Sequence, residues 1–490
     1  MKKNNNKKIL FLLITIIGLI TFVFFLKIHP IIILDADDWW YISLGRNAIP
    51  LWGYWNPTRV LPETLAPLVS ALAVYIIMPF NKDYITSLAL MNALVVTLFI
   101  VLYIYCFVKL IRTKLKTNIY NTINLTIIFY LLHFLIFRHE YSNNLYMFYS
   151  VDAICYYYYL IPSLLNCSLV MYFIADDTFN KHNSIIKISI LILMVYLAIF
   201  SNAFQSIILA VYIASTLIKP TIELINYKTK NNFISYIKNN KYQYIILFMW
   251  LVSQFFEING GRSDSLTRNE SFISKLNTSI TMFNSLLSQF NKLFIIILLG
   301  IIIIGIYFYI KDKLYKKMII HEVSFSFLFT TLYLLLLCTV SVPTYSSRVD
   351  AVYGIFFYIF IFIIFTIGYF IYKYPNIVIL FPLCIYIMFF NIYTVSKTFA
   401  ESNTLNISPS DCIEIDNIII NQIKLHVDNG DKKMTLYIPK FSRDDNWPIA
   451  LYGLGRIPAS LYKHGIIKHY IEIEDYKYAN ELYSHLDIFN

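Results

Sequence analysis

Long apolar stretches recur along most of this chain and constrain its fold more than any other feature. Segments close to the roughly 20 residues needed to cross a bilayer alternate with short polar or basic connections. Hydrophobic residues make up 58% of the 490 residues and charged residues only 14%. This balance excludes an ordinary soluble protein. The sequence therefore predicts a multi-pass α-helical membrane protein.

About eleven spans are predicted from the apolar runs, together with one shorter helix. The shorter stretch, residues 66–80, is bounded by prolines and predicts a juxtamembrane or re-entrant helix. The spans cover approximately residues 9–30, 87–108, 119–137, 155–175, 184–200, 203–218, 242–257, 293–311, 319–340, 351–373 and 376–395.

The distribution of basic residues predicts the orientation of the spans. The Lys-rich start precedes the first apolar run, which lacks a small-x-small cleavage site and is expected to remain as an anchor. The connections 109–116, 219–241 and 311–317 are also basic and are expected in the cytoplasm. This places the N-terminus inside and the first loop, 35–65, outside. Contact with anionic lipid headgroups accounts for the net charge of +11 without nucleic acid.

The composition changes after residue 395. Residues 1–395 are interpreted as the transmembrane domain, and residues 396–490 as a small soluble α/β domain on the extracytoplasmic side. Alternation of apolar and polar residues predicts strands at 434–439 and 468–473, with a short helix at 459–464 between them.

Three carboxylates directly follow the first apolar segment, at a position close to the bilayer where charged side chains are unfavourable unless they serve a function. They are Asp35, Asp37 and Asp38, and Trp39, Trp40 and Tyr41 come next. A plain solvated connector is one interpretation of this loop. Catalysis is the other, because a carboxylate can act as a general base and aromatic rings suit both the bilayer interface and a sugar face.

Cationic side chains in the predicted outer loops are candidates for binding phosphate. Arg46, Arg59 and Arg348 supply guanidinium groups, which bind phosphate through two parallel hydrogen bonds, and Glu63 adds a further carboxylate. Structural ion pairs, or arginines held at the bilayer interface, are the competing interpretations. Trp447 follows a second acidic pair in the C-terminal domain and is a candidate for gripping a saccharide, although an exposed loop is the simpler reading.

The acidic residues after the first span, the juxtamembrane helix, the many spans and the external C-terminal domain together resemble the GT-C class of membrane glycosyltransferases. In size and layout the chain is similar to bacterial serotype-converting glucosyltransferases, which modify the O-antigen of lipopolysaccharide. Residue-level similarity is confined to about 35–63, around Asp37-Asp38-Trp39-Trp40-Tyr41.

The resemblance implies a hexosyltransferase of the bacterial inner membrane. The donor would be a polyprenyl-phosphate sugar and the acceptor a surface glycan such as O-antigen. It assigns the catalytic base to Asp37, then Asp38, then Asp35, and the sequence does not separate the first two. No resident cofactor or metal is predicted from a motif, although Mg²⁺ or Mn²⁺ can bind an Asp-rich loop through oxygen.

Two other functions remain open at this point. A flippase or transporter of lipid-linked sugars would also have many spans, but it is expected to place charges at mid-membrane and to contain internal repeats. A polysaccharide polymerase would also act on lipid-linked glycans at the outer face. It would typically use a large arginine-rich outer loop, whereas this chain concentrates acids after its first span.

Overall fold

The structure is a computed structural model that describes residues 2–43, 57–137, 145–176, 184–226, 230–259, 270–316, 318, 320–374 and 407–489. Its first part is a helical bundle, and its C-terminal part is a small α/β unit. Arg46, the eleventh predicted span at 376–395 and the predicted domain boundary at 395/396 lie outside the described residues.

Helices occupy each of the ten predicted spans that fall within the described ranges. They are α1 Lys2–Val23, α2 Ala36–Tyr41, α3 Val60–Asn81, α4 Tyr84–Lys114, α5 Ile119–Leu135, α6 Ala153–Asp176, α7 Ile185–Ile199, α8 Ala203–Asn226, α9 Lys230–Asn239, α10 Lys241–Ile258, α11 Phe272–Ser288, α12 Lys292–Lys311, α13 Lys313–Lys316, α14 Ile320–Val340 and α15 Tyr353–Lys373. A π-helical turn, Phe24–Ile28, extends α1, and α2, α3, α9, α11 and α13 lie between the predicted spans.

Eight helices of the described part are long and apolar enough to cross a membrane, which supports a helical membrane protein. They are Asn6–Ile28, Val60–Asn81, Tyr84–Lys114, Ala153–Asp176, Ala203–Ile225, Lys292–Lys311, Ile320–Val340 and Tyr353–Lys373. Two shorter apolar helices, α5 and α7, add to these. The total of about eleven spans stays a prediction.

Helix α3 was predicted as a short juxtamembrane or re-entrant stretch, and it is a continuous helix of 22 residues. Its length fits a span, but its start and its middle both contact one end of the bundle. The amide of Val60, at its start, donates to the carbonyl of Phe200 in the α7–α8 turn. Ser70, in its middle, donates to the carbonyl of Ile42 after α2. These contacts hold the first half of α3 at that end of the bundle.

Basic residues form ion pairs at the end of the bundle opposite the acidic loop. Lys109, near the end of α4, and Lys187, near the start of α7, both contact Asp176 at the end of α6. Lys373, at the end of α15, contacts Asp312 after α12. The acidic loop after α1 and this basic end are therefore separated by the length of α4, whose 31 residues span about 46 Å.

The C-terminal unit contains α16 Pro409–Asp428, β1 Lys433–Ile438, α17 Arg456–Lys463 and β2 Glu472–Tyr478. The strands β1 and β2 pair in parallel. The prediction of a strand at 434–439 and of a helix at 459–464 is confirmed. The strand predicted at 468–473 was wrong in position, because pairing with β1 begins at Glu472. Helix α16 was not predicted.

This unit packs on α2 of the bundle. The hydroxyl of Ser460 donates to the carbonyl of Trp39 over 2.6 Å, and the Ser43 hydroxyl donates to Ser460 over 2.6 Å. Gly453 lies so close to Ala36 that an added Cβ would stand 2.2 Å from the Cβ of Ala36. We call this contact between α2 and the C-terminal unit the seam.

Replacing Gly453 by alanine should loosen the seam, because neither backbone can accommodate the extra methyl group. We expect a loss of about 1–3 kcal/mol, typical of overpacking. Gly455→Ala is the matched control, since nothing lies within 4 Å of a Cβ at that position. Thermal unfolding of both variants in nanodiscs measures the difference, and equal melting temperatures would contradict close packing at the seam.

Candidate functional site

The acidic loop folds by capping its own helix. Asp35 is the N-cap of α2, and its side chain accepts a hydrogen bond from the amide of Asp37 over 2.7 Å. Asp38 closes the capping box by accepting the amide of Asp35 over 3.2 Å. Two of the three carboxylates are thus used to start a helix of only six residues.

Asp38 also joins this loop to the bundle. Its side chain is completely buried, and its two oxygens accept the amides of Leu34, Asp35 and Ile154, the last over 2.7 Å. Ile154 lies in the first turn of α6. A carboxylate with this set of donors serves as an anchor, because its lone pairs are already occupied.

Asp37 has the opposite environment. Its side chain is 53% exposed and forms an ion pair with Arg456 of the C-terminal unit, with 3.1 Å between Oδ1 and Nη1. The Arg456 guanidinium lies 4.7 Å from the ring centre of Trp40 and 5.5 Å from that of Tyr452. The sequence left the choice between Asp37 and Asp38 open, and of these two carboxylates Asp37 is the one exposed to solvent.

Asp35 is almost completely buried at the seam. The indole N–H of Trp447 donates to its Oδ2, so the structure brings together two residues that the sequence placed in different parts of the site. Burial, and then the charge of Asp152, raises the pKa of Asp35 to about 7. This carboxyl group therefore titrates close to neutral pH.

The three aromatic residues of α2 have different surroundings. Trp39 is buried and stacks on Tyr84, with 6.2 Å between ring centres, so it fixes α2 to α4. Its predicted role in contacting substrate does not fit this position. Trp40 is 38% exposed beside Arg456, and Tyr41 packs on Tyr158. Trp40 is thus the α2 ring best placed to contact a ligand.

Arg348 is held in a fixed position before α15. Its Nε and Nη2 donate to the two oxygens of Asp350 over 3.1 and 2.8 Å. Its guanidinium also contacts the rings of Tyr159 and Tyr345, at 4.6 and 4.8 Å from their centres. The charge of Arg348 acts on Asp152, the neighbour of Asp35, which links Arg348 to the acidic loop.

A cavity of about 360 Å³ opens beside these tyrosines, among α8, α10 and α14. Arg59 lies in its wall and pairs with Glu257 over 3.0 Å. The lining combines polar groups with apolar ones; it includes Asn202, Gln254, Phe204, Ile258, Leu337 and Val340. Glu63 is not among the described residues that line this cavity; its buried carboxylate accepts a hydrogen bond from the hydroxyl of Tyr158 over 3.3 Å.

A short path connects α2 to the cavity. Tyr41 packs on the ring of Tyr158, with 5.0 Å between ring centres. The carbonyl of Tyr158 accepts the side-chain amide of Asn202 over 2.8 Å, and Asn202 lines the cavity. The exposed Asp37 and the Arg59 cavity are thus features of the same end of the bundle.

Several residues of this region were not predicted as site residues. Glu257, Tyr452 and Arg456 are single side chains in sequence stretches without a motif, so only the folded chain places them beside Arg59 and Asp37. Within the described ranges, no group of three or more His, Cys, Asp or Glu residues could hold a metal ion.

No family model, curated protein or solved structure matches this chain.

Asp38→Ala should destabilise the protein by roughly 3 kcal/mol or more, because it removes the acceptor of three backbone N–H groups that lie in a buried region. Asp37→Ala removes only an exposed ion pair, and we expect a change of about 1 kcal/mol or less. Thermal unfolding in nanodiscs compares the two neighbours, and equal losses would show that Asp38 is not the anchor.

Proposed function

We propose that this protein is a membrane glycosyltransferase that transfers one sugar from a polyprenyl phosphate to a surface glycan. The observation that carries the proposal is the exposed carboxylate of Asp37, which the buried Asp38 fixes at the end of the bundle that also holds the Arg59 cavity. The layout of the sequence supports the same assignment. In the bacterial inner membrane this end would face outward, because the basic residues gather at the other end.

The cavity suits the lipid-linked donor. A polyprenyl phosphate joins an anionic headgroup to an apolar chain, and the cavity combines the Arg59 guanidinium with apolar walls between helices. Arginine binds phosphate oxygens in pairs, which is the geometry this headgroup offers. Phosphate would compete with Glu257 for Arg59, so the ion pair would hold the cation in place until the donor arrives.

The seam suits the acceptor. Trp40 and Tyr452 are exposed aromatic rings, 38% and 61% accessible, that both contact Arg456. Rings of this kind offer an apolar face to the C–H groups of a sugar, and Arg456 and Asp37 offer a donor and an acceptor for its hydroxyls. Trp447, bound to Asp35, would extend this surface.

The reaction would be a single displacement. Asp37 takes the proton of an acceptor hydroxyl, whose oxygen attacks the anomeric carbon of the donor sugar. The bond from that carbon to the phosphate oxygen breaks, and polyprenyl phosphate leaves with its electron pair. Arg59 stabilises the charge that develops on the phosphate. Attack from the face opposite the phosphate inverts the anomeric configuration.

Asp37→Asn should lower the rate of sugar transfer by about 10²–10⁴-fold, because the amide cannot accept the hydroxyl proton. The assay supplies membranes with radiolabelled polyprenyl-phosphate sugars and the host's surface glycan, and follows label on the glycan. Asp444→Asn is the control, since this exposed carboxylate of the C-terminal unit carries the same charge. Full transfer by Asp37→Asn would exclude Asp37 as the base, and label that stays on the lipid with the wild type would favour transport.

Opposite changes are expected at the two members of the cavity ion pair. Arg59→Gln should weaken donor binding and raise the KM for the lipid roughly 10–100-fold, the loss typical of a charged hydrogen bond. Glu257→Gln frees the guanidinium and should leave that KM unchanged or lower it. Donor titrations of both variants at saturating acceptor make the comparison. Equal increases in KM would mean that the pair only supports the fold.

A further inference from the structure

A carboxylate without any hydrogen bond lies at a second contact between the C-terminal unit and the bundle. Asp416, on α16, is completely buried, and neither of its oxygens has a partner among the residues that the structure describes. Leaving a charged carboxylate in such a place would cost many kcal/mol, so the group is neutral when buried. A buried carboxyl group without a hydrogen bond destabilises the fold, so a functional reason for its presence is worth seeking.

The residues around Asp416 place it where α16 meets the start of α4. The neighbouring Asn417 donates to Asp83, the N-cap of α4, over 3.2 Å. Asp83 is near enough for its charge to act on Asp416. Asp416 in turn lies near enough for its electrostatic effect to reach the hydroxyls of Tyr84 on α4 and of Tyr483 in its own unit. Two carboxyl groups, one from each part of the protein, therefore meet at this contact.

Burial, and then the negative charge of Asp83, holds the pKa of Asp416 well above its usual range. When the C-terminal unit separates from the bundle, water would reach Asp416 and its pKa would return toward about 4. The docked and separated states therefore differ in their affinity for one proton.

We propose that Asp416 is a proton-dependent latch, which takes up a proton when the C-terminal unit docks on the bundle and favours release of that unit as pH rises. Release would withdraw Arg456 from Asp37 and Trp447 from Asp35, and so uncover the acidic loop. The proposal does not depend on the glycosyl-transfer reaction, because it rests on the contact between α16 and α4.

The pH range follows from the groups at the interface. The titration of Asp416 destabilises the docked state of the C-terminal unit as pH rises above about 4, the ordinary pKa of an aspartate. Burial lowers the pKa of His464, which pairs with Tyr84 over 2.8 Å, to about 4. The titration of His464 therefore strengthens docking as pH rises from about 4 to about 6.5, the ordinary pKa of histidine. This effect is opposite in sign to that of Asp416.

Asp35 acts in the same direction as Asp416, but only up to its pKa of about 7. Asp152 faces Asp35 from the bundle, and burial raises its pKa as well. Replacing Asp416 separates its contribution from those of Asp35 and Asp152, because the substitution leaves both of these groups in place. One linked proton changes the docking equilibrium by at most about tenfold for each pH unit.

The test measures hydrogen–deuterium exchange of the seam in the full chain in nanodiscs, from pH 7 to pH 8.5, where tyrosine hydroxyls remain neutral. Exchange of residues 36–43 and 456–463 is normalised to the intrinsic rate at each pH. In the wild type we expect normalised exchange to rise by up to about tenfold per pH unit. Asp416→Asn removes the titration of this group and should reduce the rise, and any part that remains belongs to Asp35 and Asp152.

Asp428→Asn is the matched control, because it neutralises an exposed carboxylate at the end of the same helix and should behave as the wild type. Should Asp416→Asn fail to fold, Ser43→Cys/Ser460→Cys gives a second test, since a disulfide at this pair of hydroxyls would lock the seam. The oxidised double variant should show no rise, and its reduced form should regain one. Flat wild-type exchange, or a rise of the same size in Asp416→Asn as in the wild type, would overturn the latch.

Discussion

The buried carboxylate of Asp38 determines where the rest of the candidate site lies. It accepts backbone amides from the chain that leaves α1, from the start of α2 and from the first turn of α6. Without this acceptor, three polar groups in a buried region would lose a partner, which makes the position of α2 a requirement of folding. The adjacent Asp37 is then left at the surface, because its neighbour already fills the structural role.

The C-terminal unit completes the surroundings of that loop. It supplies Arg456 to Asp37 and Trp447 to Asp35, and it packs Gly453 against α2. The same unit buries Asp416 against α4 without a hydrogen bond. Close packing at the seam lets the unit dock firmly on α2. The unpaired carboxyl group of Asp416 at the α16–α4 contact makes this docking depend on pH. Such a unit can both shape the acidic loop and control access to it.

The sequence predicts the helical membrane fold well, because the need to satisfy the backbone within a bilayer leaves few alternatives to apolar helices. It also locates the acidic loop. Helix α16 was missed although its buried residues Cys412, Ile415, Ile419 and Ile423 follow a helical period. The pairing of Arg59 with Glu257 joins residues 198 positions apart, and a short sequence pattern contains no information about such a contact.

The proposed reaction requires the lipid phosphate to bind beside Arg59 with its sugar directed toward the exposed carboxylate of Asp37. Electron cryomicroscopy of the wild-type protein in nanodiscs with a polyprenyl-phosphate sugar tests this requirement directly. We expect phosphate density within hydrogen-bond distance of the Arg59 guanidinium and the sugar ring between the cavity and α2. A headgroup bound elsewhere, with the Arg59–Glu257 ion pair intact, would contradict it.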